Sequence, residues 1–331
     1  MNEAKSYENI ANHILNWYSG KEKYINIISP PYNTSEIFMK LINESVKNKK
    51  KILYITEEND GNIEILRLFK DKTSFKEYSY YRGKELYENA KFIVSNYENA
   101  FSLNSDFDII IYDDIRSLPK YSRIQIIELL DYLKNKNCKI IVYSIESVFD
   151  NCRALYIPVR SDMLPIVEPR IITTAVNINK DMPFVVYEYL KWFINMKNNV
   201  IIPILDENMM MNLFSYLTYS KLGIDKRILL YRKNSNLKNV LNKINGDIII
   251  TNDFDEVCEY VKNLNIAVYF YDKNKFSYKS LVYFCGRLKG GYRRKGEVIF
   301  VANKENKDME KAKNITRNFN KTAWEEGLFS V

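Results

Sequence analysis

The sequence predicts an α/β protein of two domains, each built on a mainly parallel sheet. Two observations carry that expectation. Short apolar runs rich in isoleucine, valine and tyrosine alternate with longer amphipathic segments, first from Tyr24 to Ser144 and again from Val200 to Val301. Strand followed by helix, repeated, is the pattern of a parallel sheet covered on both faces. Between the two series the pattern loosens, and Pro158, Pro165, Pro169 and Pro183 interrupt it, as in a domain connection. At 331 residues the chain is long enough for two buried cores. The expected division is 1–150 for the first domain, 151–183 for the connection and 184–331 for the second domain.

The first 22 residues read as an entry helix, in which Ile10, Ile14, Leu15 and Tyr18 form a partial stripe and Gly20 closes it. The first strand is Tyr24–Ile28, and the turn Ser29-Pro30-Pro31-Tyr32-Asn33-Thr34-Ser35 leads to a helix starting near Ser35. Strand, loop and helix in that order form the setting of a phosphate-binding loop. Further strands fall at Lys51–Thr56, Phe92–Ser95, Ile109–Tyr112 and Lys139–Ser144, with helical segments such as Ile124–Leu133 between them. In the second series Val200–Ile204, Ile228–Tyr231, Asp247–Thr251, Ile266–Tyr271 and Glu297–Val301 read as strands. Glu207–Leu217 and Phe254–Lys262 read as helices, and Lys304–Trp324 as the closing one. Leu281–Cys285 is a short apolar run leading into Gly286-Arg287 and the turn Lys289-Gly290-Gly291. Five of the nine residues from Arg287 to Lys295 are cationic. Such a run serves either a solvated loop or a phosphate-facing one, since arginines beside glycines let guanidinium groups and backbone reach an anion together.

A formal net charge of +8 favours an anionic partner, nucleic acid or a membrane surface. Lys, Asn, Ile and Tyr are abundant throughout, so local clusters say more than the total. The 26 tyrosines read mostly as core or half-buried residues, and exposed ones can stack on bases. The four cysteines, Cys138, Cys152, Cys258 and Cys285, form no CxxC pair, and His13 is the only histidine. No zinc site of the usual spacing is expected, and Ser-His-Asp or Cys-His catalysis is poorly supported. The cysteines are expected to sit reduced in a cytosolic interior. No apolar run approaches the ~20 residues of a membrane span, and Met1-Asn2-Glu3-Ala4-Lys5 leads into no signal-peptide core. The expectation is a cytoplasmic protein without a transmembrane segment, one that can still dock on a membrane complex.

The stretch Tyr283-Phe284-Cys285-Gly286-Arg287-Leu288-Lys289-Gly290, with Lys295-Gly296-Glu297-Val298 after it, resembles the last motif of superfamily-two helicase motors. The resemblance is specifically to ComFA, the competence-associated DNA-translocating ATPase, in which Gln-x-x-Gly-Arg-x-Gly-Arg precedes a Lys-Gly-Glu-Val strand. Gly286, Arg287 and the strand match, whereas Tyr283 stands for the glutamine and Gly290 for the final arginine. Collinear echoes run from Ile25 to Glu310, including Ser144-Ile145-Glu146, Met163–Arg170 and Thr251–Val257, where Glu256 replaces an arginine and Val257 a glycine. The family's cysteine-rich metal module has no counterpart. The resemblance implies two tandem RecA-like domains of the P-loop NTPase type in a helicase-core architecture. It implies ATP and Mg2+ as ligands, single-stranded DNA as partner, and DNA uptake beside membrane-associated proteins as the process.

Residue by residue, the resemblance keeps the frame and loses chemistry. The family's phosphate loop, Gly-x-Gly-Lys-Thr-Glu, falls on Pro31-Tyr32-Asn33-Thr34-Ser35-Glu36. Thr34, Ser35 and Glu36 are the remaining cofactor-binding candidates, with a neutral Thr34 where the lysine belongs and two prolines that have no N–H to give. The metal motif falls on Asp113-Asp114-Ile115-Arg116-Ser117-Leu118-Pro119. Asp113 becomes a candidate Mg2+ ligand and Asp114 a shortened general base, while Arg116 reverses a charge. Acids capping the following turn are the alternative reading. Arg287 is the vestigial last-motif arginine. Nucleic-acid contact is expected from Lys289, Arg293, Arg294 and Lys295, with Ser95 and Asn96 supplying backbone hydrogen bonds. Ser95-Asn96-Tyr97 reads equally well as a strand-to-helix turn capped by Asn96. The favoured expectation is a degenerate ComFA-like protein that binds single-stranded DNA with ATP hydrolysis weak or lost. The alternatives are an active translocase, in which Lys289 or Arg293 replaces the missing lysine, and a non-catalytic scaffold or partner subunit. A Rossmann-type enzyme is disfavoured because the first turn lacks a glycine fingerprint.

Overall fold

The structure is a computed structural model that describes residues 3–73, 75, 77–83, 90–103, 106–178, 180–219, 223, 227–233, 235, 238–270, 276–288 and 296–329. The chain divides into two compact units, Met1–Met163 with Thr322–Val331, and Leu164–Lys321. The first contains α1 (Glu3–Ser19), β1 (Tyr24–Ile28), a short 3-10 turn (Ser35–Phe38) running into α2 (Met39–Lys47), and β2 (Ile52–Thr56). It continues with α3 (Glu64–Lys72), β3 (Tyr78–Tyr81), β4 (Phe92–Ser95), α4 (Tyr97–Ala100), β5 (Ile109–Asp113), α5 (Arg123–Leu133), β6 (Lys139–Ser144) and β7 (Arg153–Tyr156). The second contains β8 (Arg170–Thr173), α6 (Phe184–Asn195), β9 (Asn199–Pro203), α7 (Glu207–Tyr219), β10 (Ile228–Tyr231) and α8 (Lys238–Leu241). β11 (Ile248–Thr251), α9 (Phe254–Tyr260), β12 (Leu264–Tyr269), α10 (Tyr278–Arg287), β13 (Val298–Ala302) and α11 (Lys307–Glu325) follow, the last turn of α11 from Thr322 belonging to the first unit.

Two sheets result, in the orders β3-β4-β2-β5-β6-β1-β7 and β10-β11-β9-β12-β13-β8. Their pairings are parallel, from β1 with β6 and β7 to β13 with β8. The central strands are buried from end to end, which is what helices on both faces impose. On one face of the first sheet Leu53, Ile55, Ile110, Tyr112, Ile140 and Val142 pack with Ile126, Leu129 and Leu130 of α5. Aromatic contacts hold the other face: Phe38 meets Tyr54 and Tyr143 edge-on, with ring centroids 6.3 and 5.2 Å apart. In the second unit α6 and α7 cover Val200, Ile202, Ile250, Ala267 and Ile299 with Val186, Leu190, Phe193, Met210 and Leu213.

The Pro-interrupted stretch 151–183 contains β7, which extends the first sheet, and β8, which extends the second. Both are exposed or half-buried edge strands, so neither carries the apolar signature of its neighbours. The run Leu281–Cys285 lies within α10, capped by Ser277, and Gly286-Arg287 forms that helix's last turn. A short apolar run cannot separate buried strand from buried helix by periodicity, and here the residues from Lys279 to Gly286 are all buried.

Because every strand of the first sheet runs the same way, the segments after β1, β2 and β5 emerge along one edge. Crevices at the carboxyl ends of parallel strands are where α/β sheets place their ligands.

Candidate functional site

At the carboxyl edge of the first sheet the segment Ser29–Ser35 is held closed by side chains of its own unit. Tyr32 adopts φ 60°, a left-handed turn taken without glycine, and its amide donates to Ile115 O at 2.9 Å. The side chain of Asn33 is buried with four partners. Its amide nitrogen donates to Ser29 Oγ (2.8 Å) and Val159 O (3.1 Å), while its oxygen accepts from the amides of Thr34 (2.9 Å) and Ser161 (3.0 Å). Thr34 Oγ1 accepts from the amide of Glu36 at 3.1 Å, an N-cap to the following turn. The Ser35 amide donates to Glu64 Oε2 at 2.7 Å. Glu36 turns aside and takes Lys72 Nζ at 2.6 Å.

Arg116 reaches this loop from the segment after β5. Its Nη1 donates to the carbonyls of Tyr32 (3.2 Å) and Asn33 (3.1 Å). Its Nη2 lies 3.3 Å from Glu64 Oε1 and its Nε 3.5 Å from Glu58 Oε1, and all three side chains are nearly buried. Glu58 also accepts from the Glu64 amide at 3.3 Å, capping α3. Neighbouring Glu57 does the same for α4, accepting from the Tyr97 amide at 2.9 Å and from Lys120 Nζ at 2.8 Å.

Asp113 ends β5, buried at 2% exposure. Its Oδ1 accepts from the Ile115 amide at 3.1 Å, and its Oδ2 accepts a short hydrogen bond from the Tyr54 hydroxyl. That hydroxyl lies 3.2 Å from Ser35 Oγ, so Tyr54 links the serine of the loop to the strand-end aspartate. Tyr143, paired across from Asp113 on β6, donates to Thr34 O at 3.2 Å. Asp114 is buried, and its amide donates to Tyr143 O at 2.9 Å.

Burial sets the electrostatics. Desolvation pushes the Asp113 carboxyl up to about 6, against the Tyr54 hydrogen bond and the Arg116 charge, which favour its ionised form. Desolvation likewise pushes Glu58 up to about 8, with Arg116 opposing and the Asp113 and Glu64 charges adding to the rise. The Tyr54 hydroxyl rises well above its ordinary range, first by desolvation and then by the Asp113 and Glu58 charges, so it acts as a neutral donor.

These residues do not fit Mg2+ with a triphosphate. A magnesium ion held by Ser35 Oγ and Asp113 would need the place taken by the Tyr54 hydroxyl. A phosphate would meet the carbonyls that Arg116 engages and the amide that Glu64 engages. Among the described residues no group of three or more His, Cys, Asp or Glu could hold a metal ion.

The second unit has a counterpart network. Asp253 caps α9, with its side chain accepting from the Glu256 amide at 3.3 Å. Tyr283 Oη donates to Asp255 at 2.8 Å and Tyr231 Oη to Glu256 at 2.8 Å. Arg287 lies beside Cys258, whose thiol burial pushes up to about 12 while the guanidinium opposes the rise.

The candidate residues of the sequence thus separate. Ser35 and Asp113 come together through Tyr54, whereas Thr34 acts as a cap and Glu36 pairs outward. Asn96 caps α4 by accepting from the Asn99 amide at 2.8 Å. Ser95 is fully buried, with its hydroxyl 3.2 Å from Asn96 O and 3.5 Å from Tyr81 O. Lys289, Arg293, Arg294 and Lys295 lie outside the described residues. Sequence reasoning missed Asn33, Tyr54, Glu58 and Glu64. The one available signal was Glu57-Glu58 immediately after the apolar run of β2, where an acidic pair ends a buried strand.

No family model matches the chain, and no curated protein matches it in sequence. Solved structures do match. Dbp5 of S. cerevisiae, bound to RNA and ADP BeF3, superposes with a TM-score of 0.58 at 12% identity over 96% of this chain and 91% of that one. The fold is that of tandem RecA-like helicase domains. A CRISPR RNA-guided surveillance complex in its pre-nicking state gives 0.59 at 9% identity, over 98% of this chain and 51% of that one. The DUF1998 helicase MrfA bound to DNA gives 0.54 at 15%, over 95% and 48%. This chain therefore spans about half the length of the latter two. At these identities the likeness is one of fold. Among the described residues no helix is long and apolar enough to cross a membrane.

Proposed function

We propose that this protein is a nucleic-acid-binding member of the helicase fold that engages single-stranded DNA without turning over ATP. The process is the ComFA-like one, uptake of DNA on the cytoplasmic side beside membrane-associated partners. The single observation that carries the loss of turnover is the Tyr54 hydroxyl, placed between Ser35 Oγ and Asp113 where a metal-bridged pair would need an open position. Arg116, bonded to the carbonyls of Tyr32 and Asn33, adds to it by tying the loop to the segment after β5 from within the chain. Support for nucleic-acid contact comes from the net charge of +8, the five cations between Arg287 and Lys295, and the fold shared with Dbp5 bound to RNA and MrfA bound to DNA.

Two assays of the purified protein test this. Phosphate release from ATP with Mg2+ should stay at the blank level with and without single-stranded DNA, while the same DNA binds measurably at about 50 mM salt, where phosphate contacts are strong. DNA-stimulated turnover that disappears in Asp113→Ala would overturn the proposal in favour of an active translocase. Absence of any salt-sensitive DNA binding would favour a scaffold.

A further inference from the structure

Four aromatic rings run in unbroken contact across α4 and α5 of the first unit. Tyr121 stacks on Tyr97 with centroids 3.6 Å apart, Tyr97 meets Phe101 edge-on at 5.3 Å, and Phe101 meets Tyr132 at 5.5 Å. The row starts beneath the surface and ends on it: Tyr97 is buried, whereas Phe101 is 38% and Tyr132 63% exposed. Ile124, 68% exposed, and Tyr132 lie one turn either side of Glu128 on α5, opposite the buried Ile126, Leu129, Leu130 and Leu133. A surface helix ordinarily turns polar groups to water on the face away from its core. Two large apolar side chains there, beside Phe101, form a patch and not scattered singles.

The charge of this face is opposite to that of the chain. Three neighbouring cations are already paired: Lys120 with Glu57, Arg123 with Asp150 and Lys134 with Asp131. Glu98 and Glu128 are exposed and make no ion pair among the described residues. Both carboxylates lie beside the rings. The Glu128 charge adds to the rise that burial gives the Tyr97 hydroxyl, and the Glu98 charge, after that of Glu57, does so for Tyr121.

We propose that this face of α4 and α5 is the docking site of a basic amphipathic segment of a partner protein. The segment sets apolar side chains against Phe101, Ile124 and Tyr132 and its lysines or arginines on Glu98 and Glu128. Carboxylate and tyrosine ring together favour an ammonium or guanidinium group, one through the ion pair and the other through the ring face. The same carboxylates repel the phosphates of nucleic acid and of an anionic membrane, so the fitting occupant is a cationic peptide. Anchors spaced by one helical turn along α5 suit a helix laid beside it, with its own apolar groups at i and i+4. Docking here is independent of nucleotide or DNA binding by the same unit.

The probe is a fluorescein-labelled leucine–lysine peptide of about 15 residues, long enough to hold a helix with one apolar face. Its anisotropy is titrated with the full chain at about 100 mM salt, where distant charges are screened. The parent should bind it. The same peptide with glutamate for lysine, or an oligolysine of equal length without leucine, should bind roughly tenfold more weakly. Glu98→Gln with Glu128→Gln should weaken binding roughly three- to tenfold, and Ile124→Ser with Tyr132→Ala roughly tenfold or more. All four side chains are exposed, so both double variants should keep the parent's thermal midpoint and its affinity for single-stranded DNA. Equal peptide affinity in parent and variants, or no binding by the parent, overturns the proposal. So does a loss of DNA affinity in the variants, which would put nucleic acid on this face. A parent dimer that Ile124→Ser with Tyr132→Ala dissociates in sedimentation also overturns it, because the occupant would then be a second copy.

Discussion

Tyr54 and Asn33 do opposite things with similar means. The Tyr54 hydroxyl closes a position between two oxygen ligands, while Asn33 spends both donors and its acceptor on fixing the loop that surrounds it. Replacing Asn33 with alanine leaves the buried amide of Thr34 and the half-buried amide of Ser161 without that acceptor. The expected loss is about 2–4 kcal/mol of stability in the first unit, read from a shift of the denaturant midpoint. Glu58 makes a distinct, pH-dependent contribution. Its folded value of about 8 lies above the ordinary 4.5, so the folded unit holds a proton that the unfolded chain releases. Stability from this group is therefore fully present below about pH 4.5 and is lost as pH rises through 8. Asp113 acts in the same direction over a lower window, from 3.8 to about 6. The unfolding free energy of the first unit should fall between pH 6 and 8, and Glu58→Gln should flatten that fall, by an amount on the order of 3 kcal/mol. A pH series of chemical denaturation on parent and variant checks it, and equal slopes would refute the assignment.

At the scale of elements, β13 is placed by a glycine. A Cβ on Gly296 would come within 2.4 Å of Leu264 O at the start of β12 and 3.0 Å of Leu288 Cδ1. The adjoining ladder, in which the Ile266 amide donates to Glu297 O at 2.9 Å, leaves no room for the backbone to retreat. Gly296→Ala should cost the second unit about 1–3 kcal/mol by overpacking, seen as a lowered midpoint in its own unfolding transition. The same scale explains what was legible beforehand. Interior strands such as β1, β4 and β6 are short, largely apolar runs bounded by polar turns, and Tyr24–Ile28, Phe92–Ser95 and Lys139–Ser144 match the sequence expectation end for end, as does Ile228–Tyr231 (β10) at the edge of the second sheet. Edge strands β3, β7 and β8 escape it because they alternate little and stay partly exposed. The helix α10 escapes it because it is buried nearly all round and so lacks an amphipathic stripe. At the site, Ser35 and Asp113 were visible because a motif marks each, Ser35 at the start of the turn after the β1 loop and Asp113 at the end of β5. Glu64 and Tyr54 were not, since their roles arise from register: Tyr54 pairs with Ile111, two residues before Asp113 on the adjacent strand.

For the whole molecule, each unit has its own core, so the effects of Asn33→Ala and Glu58→Gln belong to one unit and that of Gly296→Ala to the other. Nucleic-acid binding is the property that the sum of charge governs. The chain carries 49 lysines and arginines against 41 acids, yet several acids are engaged inside the first unit: Glu57 and Glu58 cap helices and Glu64 pairs with the nearly buried Arg116. The segment from Lys289 to Lys295 has four cations in seven residues and no acid. Under the proposed function these cations release counterions from single-stranded DNA, which sets a slope in a plot of log affinity against log salt of roughly −0.7 for each phosphate neutralised. Changing Lys289, Arg293, Arg294 and Lys295 together to glutamine should weaken binding at every salt concentration and reduce the slope by roughly 3. The loss should be uniform across oligonucleotide sequences, because phosphate contacts carry no base information. Fluorescence anisotropy over a salt series decides the matter: an unchanged slope would mean that the DNA path avoids this segment, and a loss confined to particular sequences would mean that these side chains read bases instead.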